Sequence, residues 1–274
     1  MYFENWDDIR YWWRRMNLPT IGFIGTGDFS AYLIAALRRG GFGGRILLSP
    51  FSRVKAERLA TTHDCTVAAD DASMLAEADW VLLAVRPEQL ANALPNLALR
   101  PDQVLISAVA GATIAELQAA IGQDISVVRI MPSSYIDTID RGLVPIYPAS
   151  DDVAVVLGTA GRIVTFETED QFELAMVGAC LAGWIYSFIA TLESWFLERG
   201  LTSAQARLVV AGNIAGATGY ALAREEVSLD IVSDGIATEG TFTKLGLDHL
   251  AARQAPLPWL EALDIVFRRL NLLT

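Results

Sequence analysis

The stretch Ile21-Gly22-Phe23-Ile24-Gly25-Thr26-Gly27-Asp28-Phe29-Ser30 joins an apolar run to a glycine turn and the opening of a helix. A short apolar run bounded by glycine reads as a buried strand, and Ala31–Arg39 continues beyond it with helical spacing. Gly25 permits the tight turn. Gly27 has no side chain, so a ligand can approach the backbone there, and Ser30 is small enough for helix and strand to pack at the third position. A helix beginning near Asp28 points its unbonded N–H groups at the turn, where they favour an anion such as a pyrophosphate. Gly25, Thr26, Gly27, Asp28, Phe29 and Ser30 are therefore the expected dinucleotide-binding residues. Asp28 has two readings. Its carboxylate suits the positive end of its own helix, and it weakens anion binding if it turns inward.

Downstream, Ile46–Leu48, Trp80–Val85, Val104–Ser107 and Val127–Ile130 are strand-like in length and composition, while segments such as Arg53–Ala60 read as helices. That alternation implies a parallel sheet covered on both faces. From Gln171 the strand signals stop, and Ala/Leu-rich stretches over 171–199, 203–224 and about 241–270 imply helices. A chain of 274 residues suits two domains. The expected fold is an α/β Rossmann-type N-terminal domain over 20–165 and an all-helical C-terminal dimerisation and substrate domain over 166–274. Residues 1–19 form an N-terminal extension. The end of the second strand decides the cofactor, because an acid there would bind the ribose hydroxyls of NAD. Here Ser49, Ser52 and Arg53 stand instead, and two hydroxyls with a guanidinium suit a 2′-phosphate. NADP is favoured, with NAD as the alternative. The competing role for Arg53 is merely to start a helix from a solvated loop.

Composition narrows the partners. Hydrophobic residues make up 53% and charged residues 19%, which suits a filled core, and the net charge of −11 repels nucleic acid and anionic membrane. Cys65 and Cys180 are too few for a disulfide framework, so a reducing cytoplasm is the expected setting. His63 and His249 lack ligand spacing, and no metal site is expected. The first residues mix acids and arginines without a long apolar core, unlike a secretory signal. With Trp6, Trp12 and Trp13 they suit a short amphipathic helix ended by Pro19, packed on the body or on a dimer partner. A membrane-surface helix is the other reading, opposed by Glu4, Asp7 and Asp8. Leu174–Leu192 carries no charge and is long enough to cross a bilayer. Its acidic flanks (Glu169, Asp170 and Glu173; Glu193 and Glu198) and its small residues Gly178, Ala179, Ala182 and Gly183 favour a buried interface helix in a soluble dimer.

Several motifs in order resemble the pyrroline-5-carboxylate reductase family over about residues 20–270. Gly22–Gly27 resembles the family's opening, and Ala84-Val85-Arg86-Pro87-Glu88 resembles its Ala-Val-Lys-Pro-Gln segment against the cofactor. Ser107–Gly111, with Ala108 and Ala110, resembles its Ser-x-x-Ala-Gly turn. Arg129-Ile130-Met131-Pro132 resembles its Arg-x-Met-Pro segment near the nicotinamide. Gly200-Leu201 and the helix through Gln205 and Gly216 follow its helical domain. The resemblance implies reduction of a carbon–nitrogen double bond with NADPH, in a homodimer (or higher oligomer) whose helical domains interlock and whose subunits build the site together.

Departures gather where substrate is expected. The family's Asn-Thr-Pro after Met-Pro is Ser133-Ser134-Tyr135 here, and its Gly-Ser-Gly-Pro-Ala-Tyr helix start falls at Ala179-Cys180-Leu181-Ala182-Gly183-Trp184. Its Pro-Gly-Gly-Thr-Thr loop falls near Thr238-Glu239-Gly240-Thr241-Phe242, with Thr243 as the other candidate for the second threonine. A glutamate is unfavourable in a loop that binds a carboxylate, which points to an imine other than pyrroline-5-carboxylate. The substrate is expected against Met131, Ser133, Ser134 and Gly240, with Thr241 or Thr243 bonding the ring nitrogen or its substituent. The competing role for that threonine is a helix N-cap or turn hydroxyl. Tyr135 and Tyr186 are either proton donors or packing residues. Glu239 either meets a cationic amine or stands in an exposed loop, and Cys180 reads as a small core residue. Two further readings stand beside the reductase. One is a carbonyl or 2-hydroxy-acid dehydrogenase, opposed by the absence of lysine from 171–199; the other is a non-catalytic cofactor-binding sensor or scaffold.

Overall fold

The computed structural model describes residues 18–94, 97–138 and 142–271; the Trp-rich segment carrying Trp6, Trp12 and Trp13 lies outside them. Apolar runs and amphipathic segments alternate as β1 (Ile21–Ile24), α1 (Asp28–Arg39), β2 (Ile46–Leu48), α2 (Arg53–His63), β3 (Thr66–Val67), α3 (Asp71–Glu77), β4 (Trp80–Leu83) and α4 (Pro87–Ala93). There follow β5 (Val104–Ser107), α5 (Ile114–Ile121), β6 (Ser126–Ile130), β7 (Leu143–Tyr147), α6 (Asp151–Leu157) and β8 (Arg162–Thr165). The strands form one sheet in the order β3-β2-β1-β4-β5-β6-β7-β8. All neighbours run parallel except β6 and β7.

Successive side chains on a strand point to opposite faces, so a sheet covered on both sides needs apolar residues at every position. The central strands β1, β4, β5 and β6 meet that pattern except at Gly22, Ser107, Ser126 and Arg129. Ile21, Phe23, Leu82, Ile106 and Val128 share one core with Leu33, Ile34 and Leu37 of α1. Ile24, Val81, Leu83, Leu105 and Val127 share another with Met74 and Leu75 of α3 and Leu117 of α5. The strand order reverses between β1 and β4, the switch point outside whose carboxyl ends ligands bind in such sheets.

The remaining chain is helical: α7 (Glu169–Ala179), α8 (Leu181–Leu197), α9 (Ser203–Ala223), α10 (Leu229–Ile236), α11 (Phe242–Ala252) and α12 (Leu257–Asn271). A turn at Cys180 divides the expected 171–199 helix, just after Gly178, a poor helix former. The chain falls into two compact units, one running to Ala179 with the C-terminal residues from Arg269, the other Cys180–Arg268. Strand structure ends at Thr165, but α7 stays with the sheet unit because it buries Phe172, Met176 and Val177 there. Within the helical unit α8 and α9 pair, and Trp259 packs edge-on against Trp184 and Phe188, at 6.4 and 5.7 Å between ring centroids.

Candidate functional site

The glycine turn between β1 and α1 is shaped by three local facts. Gly25 has φ +94°, and a Cβ there would lie 2.4 Å from the Ala84 carbonyl oxygen, so no other residue fits. Ser30, fully buried, donates its hydroxyl hydrogen bond to the Gly25 carbonyl at 2.6 Å and ties helix to turn. Gly27 caps α1 in extended geometry with no side chain satisfying the first-turn amides, and a Cβ built on it would meet nothing within 4 Å. Space and bare donors therefore coincide. Beside them the buried Thr26 hydroxyl has no hydrogen-bond partner, which is costly unless a ligand supplies one. A pyrophosphate fits this cradle. Asp28 is exposed in the first turn of α1 and Phe29 is half-buried beside it.

At the end of β2, Ser49 is buried and its hydroxyl accepts from the Phe51 amide at 3.4 Å. Ser52 is exposed, and Arg53 is 77% exposed with Glu57 one turn on at 2.8 Å. A solvated i,i+4 pair of this kind contributes little, so the guanidinium is cheaply released to a phosphate. Across the switch point, β4 ends at Leu83, two residues earlier than expected, because Ala84 and Val85 bend into the approach to Gly25. Arg86 is an exposed N-cap for α4, and Pro87 takes the first helical position. The turn after β5 holds Ala108 and Ala110, both half-buried, with Gly111 at φ +67°. The Ser107 hydroxyl accepts from the Val109 amide at 3.3 Å, and Ala108 donates to the Leu83 carbonyl at 2.9 Å.

Arg129, in the segment expected near the nicotinamide, is 1% exposed and committed to the protein. Its Nη1 donates to Glu169 Oε1 at 2.7 Å and lies 2.5 Å from Glu173 Oε1. Nη2 reaches the Met176 sulfur at 3.4 Å, and the guanidinium lies 4.9 Å from the Phe172 ring centre. In the sequence, Glu169 and Glu173 stand out only as acidic flanks of an apolar stretch. Their i,i+4 spacing at the opening of a helix was the available signal. Met131 is half-buried, and its amide closes on the Pro145 carbonyl at 3.1 Å. Ser133 is structural on one side, its hydroxyl accepting from the Leu143 amide at 2.9 Å, while Ser134 is exposed. Tyr135, at φ +56°, packs its ring 5.0 Å from that of Tyr32 on α1. Tyr32 is a member of this neighbourhood that the sequence did not announce. Partial burial, then Tyr135, Asp28 and Asp137, push its phenol above the usual range.

The helical unit carries the other candidates. Gly240 has φ +83° and turns the chain into α11. Thr241 caps that helix: its hydroxyl accepts from the Lys244 amide at 3.1 Å and donates to the Thr238 carbonyl at 2.7 Å. The expected catalytic hydroxyl therefore has both of its local roles filled, which is the capping alternative. Thr243 is exposed in the first turn of α11, and Glu239 is exposed beside Gly240. Lys244 pairs with Asp248 at 2.5 Å, a bond that raises its ammonium pKa. Tyr186 is exposed on α8, and Cys180 is half-buried, its thiol pKa raised by burial.

Comparison with known proteins gives a consistent picture. Residues 20–111 match the family model described as NADP oxidoreductase coenzyme F420-dependent. The chain is 35% identical over 122 residues to a pyrroline-5-carboxylate reductase of Pseudomonas aeruginosa, an alignment covering 43% of this chain and 45% of that protein. It is 26% identical over 238 residues to pyrroline-5-carboxylate reductase 2 of Bacillus subtilis, covering 81% and 85%. Among solved structures, 1-pyrroline-5-carboxylate reductase of Streptococcus pyogenes superposes with TM-score 0.83 at 21% identity, over 93% of this chain and 99% of that one. Plasmodium falciparum pyrroline carboxylate reductase with NADP bound gives TM-score 0.80 at 18% identity, over 94% and 99%.

Proposed function

We propose that this chain, a divergent relative of the pyrroline-5-carboxylate reductases, is an NADP-dependent oxidoreductase that reduces a carbon–nitrogen double bond. The observation carrying the reading is the turn at Gly25–Ser30, where bare helix amides, an unpartnered buried hydroxyl and empty space above Gly27 meet at the switch point of the sheet. The α1 amides, Gly27 and Thr26 would hold the pyrophosphate. Ser49, Ser52 and Arg53 would hold the 2′-phosphate, and Ala84–Pro87 with Ala108 and Ala110 would line the rest. When bound, the cofactor supplies a hydride to an electrophilic carbon. A protonated imine is already electrophilic, so the protein's task is to position it and exclude water. Met131, Ser133 and Ser134 are the proposed substrate contacts of the sheet unit. In the helical unit, taken by itself, Gly240 is the proposed contact and Thr243 is the threonine with its hydroxyl still uncommitted among the bonds described.

The helical unit supports a dimer. Among its described apolar residues only Ala206, Val210 and Ala237 are buried, whereas Leu208, Ile231, Phe242 and Leu245 are strongly exposed. Apolar surface on that scale marks an interface. The segment Glu169–Leu197 is long and apolar enough to cross a membrane, yet Glu169 and Glu173 at its start are engaged with Arg129. We place the enzyme in the cytoplasm on this reading. A second reading, a cofactor-binding protein without turnover, is favoured by the commitment of Thr241 to its own helix.

One experiment separates these. Calorimetry with NADPH and NADH should find tighter binding of NADPH, and NADPH should be oxidised with at least one member of a panel of cyclic imines lacking a carboxylate. Binding without oxidation across imines and ketones selects the sensor. No binding of either nucleotide at millimolar concentration ends both readings.

A further inference from the structure

Glu169 is placed differently from Glu173, although both contact the same guanidinium. Its Oε1 accepts from Arg129 Nη1 at 2.7 Å and also from the Ile114 amide at 2.9 Å. Ile114 opens α5, and Thr113, its N-cap, closes a capping box with Glu116. The Ile114 amide is thus one of the helix-end donors that the local chain leaves unbonded, and a carboxylate from α7 takes it. Among the described residues, Glu173 meets Arg129 alone.

The arrangement also settles a charge problem. Two carboxylates around one buried guanidinium leave an excess negative charge, which is unfavourable away from water. The positive end of α5 offsets it, and Glu169 is where the two meet.

The segment between β5 and α5 is consequently fastened at both ends. Ser107 and Ala108 hold its start, through the Val109 amide and the Leu83 carbonyl, and Glu169 holds its exit at Ile114. Between these points lie Ala108, Ala110 and Gly111, with Gly111 in a left-handed conformation. In a sheet of this order β1–β3 serve the adenosine half of a dinucleotide and β4–β6 the nicotinamide half.

We propose that Glu169 is a positioning residue for the nicotinamide half of the site, fixing the β5–α5 turn through the Ile114 amide while Arg129 fixes Glu169. The proposal rests on the dinucleotide reading above. It requires that loss of the Glu169 bond weaken binding of the whole cofactor and spare its adenosine half.

The test compares Kd for NADPH with Kd for adenosine 2′,5′-bisphosphate, alongside Tm, in four variants. Glu169→Ala should weaken NADPH roughly tenfold, the size expected for one hydrogen bond to a charged group, and leave the bisphosphate within about twofold. Glu169→Asp, whose shorter arm withdraws the carboxylate from the amide, should behave alike and carries the test if the alanine variant fails to fold. Glu169→Gln retains an accepting oxygen and should restore most of the NADPH affinity. Glu173→Ala is the control, lowering Tm without changing the ratio of the two Kd values. Equal weakening of both ligands by Glu169→Ala or Glu169→Asp, no weakening, or the same ratio change from Glu173→Ala overturns the proposal. A wild-type chain that binds the bisphosphate but not NADPH overturns it too. Binding of neither removes the dinucleotide reading itself.

Discussion

The sheet unit and the helical unit are both rich in apolar residues but use them in opposite ways. In the sheet, Phe23, Leu33, Leu82 and Ile106 are shut away by helices from the same chain. In the helical unit, Leu208 is 75% and Phe242 94% exposed, and the buried apolar residues are few and small. A parallel sheet with helices on both faces closes its own core, whereas helices with wide apolar faces need another surface. The difference teaches that one unit closes its core within the chain, whereas the other leaves apolar faces that only a further surface would cover.

The largest expected effects come from the glycine turn, where stability and binding can be separated within three residues. Gly25→Ala forces a Cβ onto the Ala84 carbonyl at a φ that side chains avoid, and should cost about 3 kcal/mol of stability. NADPH binding should be lost with it. Gly27→Ala adds a Cβ to open space, so Tm should stay while NADPH affinity falls, because the methyl group occupies the ground a pyrophosphate needs. Calorimetry and thermal melts on the two variants check this. Equal melts and undiminished binding for Gly27→Ala would remove the cradle from the account.

The helical unit should respond to concentration instead. Leu208→Asp puts a charge on an exposed face of α9. If a second copy covers that face, each interface receives the change twice, and dimer dissociation should rise by about 100-fold or more. Light scattering coupled to gel filtration reads it directly. Unchanged mass would leave Leu208 an ordinary surface residue and break the contrast between the units at that point.

Legibility in the sequence followed the same divide. The strands β1, β2 and β5 were readable to the residue, since runs such as Ile46–Leu48 have no other stable use. β3 is only Thr66–Val67, too short to stand out from its surroundings. β7 is not among the expected strands, and it carries Pro145, which has no amide to donate. Its pairing with β6 ends at Ile130 and Ile146, so Pro145 need give only its carbonyl, to the Met131 amide. The glycine turn between β1 and α1 was legible because it leaves a local pattern. The link from Glu169 to Arg129 and Ile114 was not, because it joins residues 40 and 55 positions apart and depends on how α7 packs.

The smallest effect concerns Thr241, where capping and catalysis make different predictions. As the N-cap of α11, Thr241→Ala should cost about 1 kcal/mol, and Thr241→Ser should recover most of it, since either hydroxyl can accept the Lys244 amide. Any change in kcat/KM should then follow stability and be mended by serine. A hydroxyl that bonds the imine would instead cut kcat in Thr241→Ala at temperatures well below the melt, with Tm nearly unmoved. Measuring Tm and kcat together for the alanine and serine variants, with Thr243→Ala beside them, assigns the catalytic bond. Loss of kcat in Thr243→Ala alone would show that the capping threonine serves the helix and its neighbour serves the substrate.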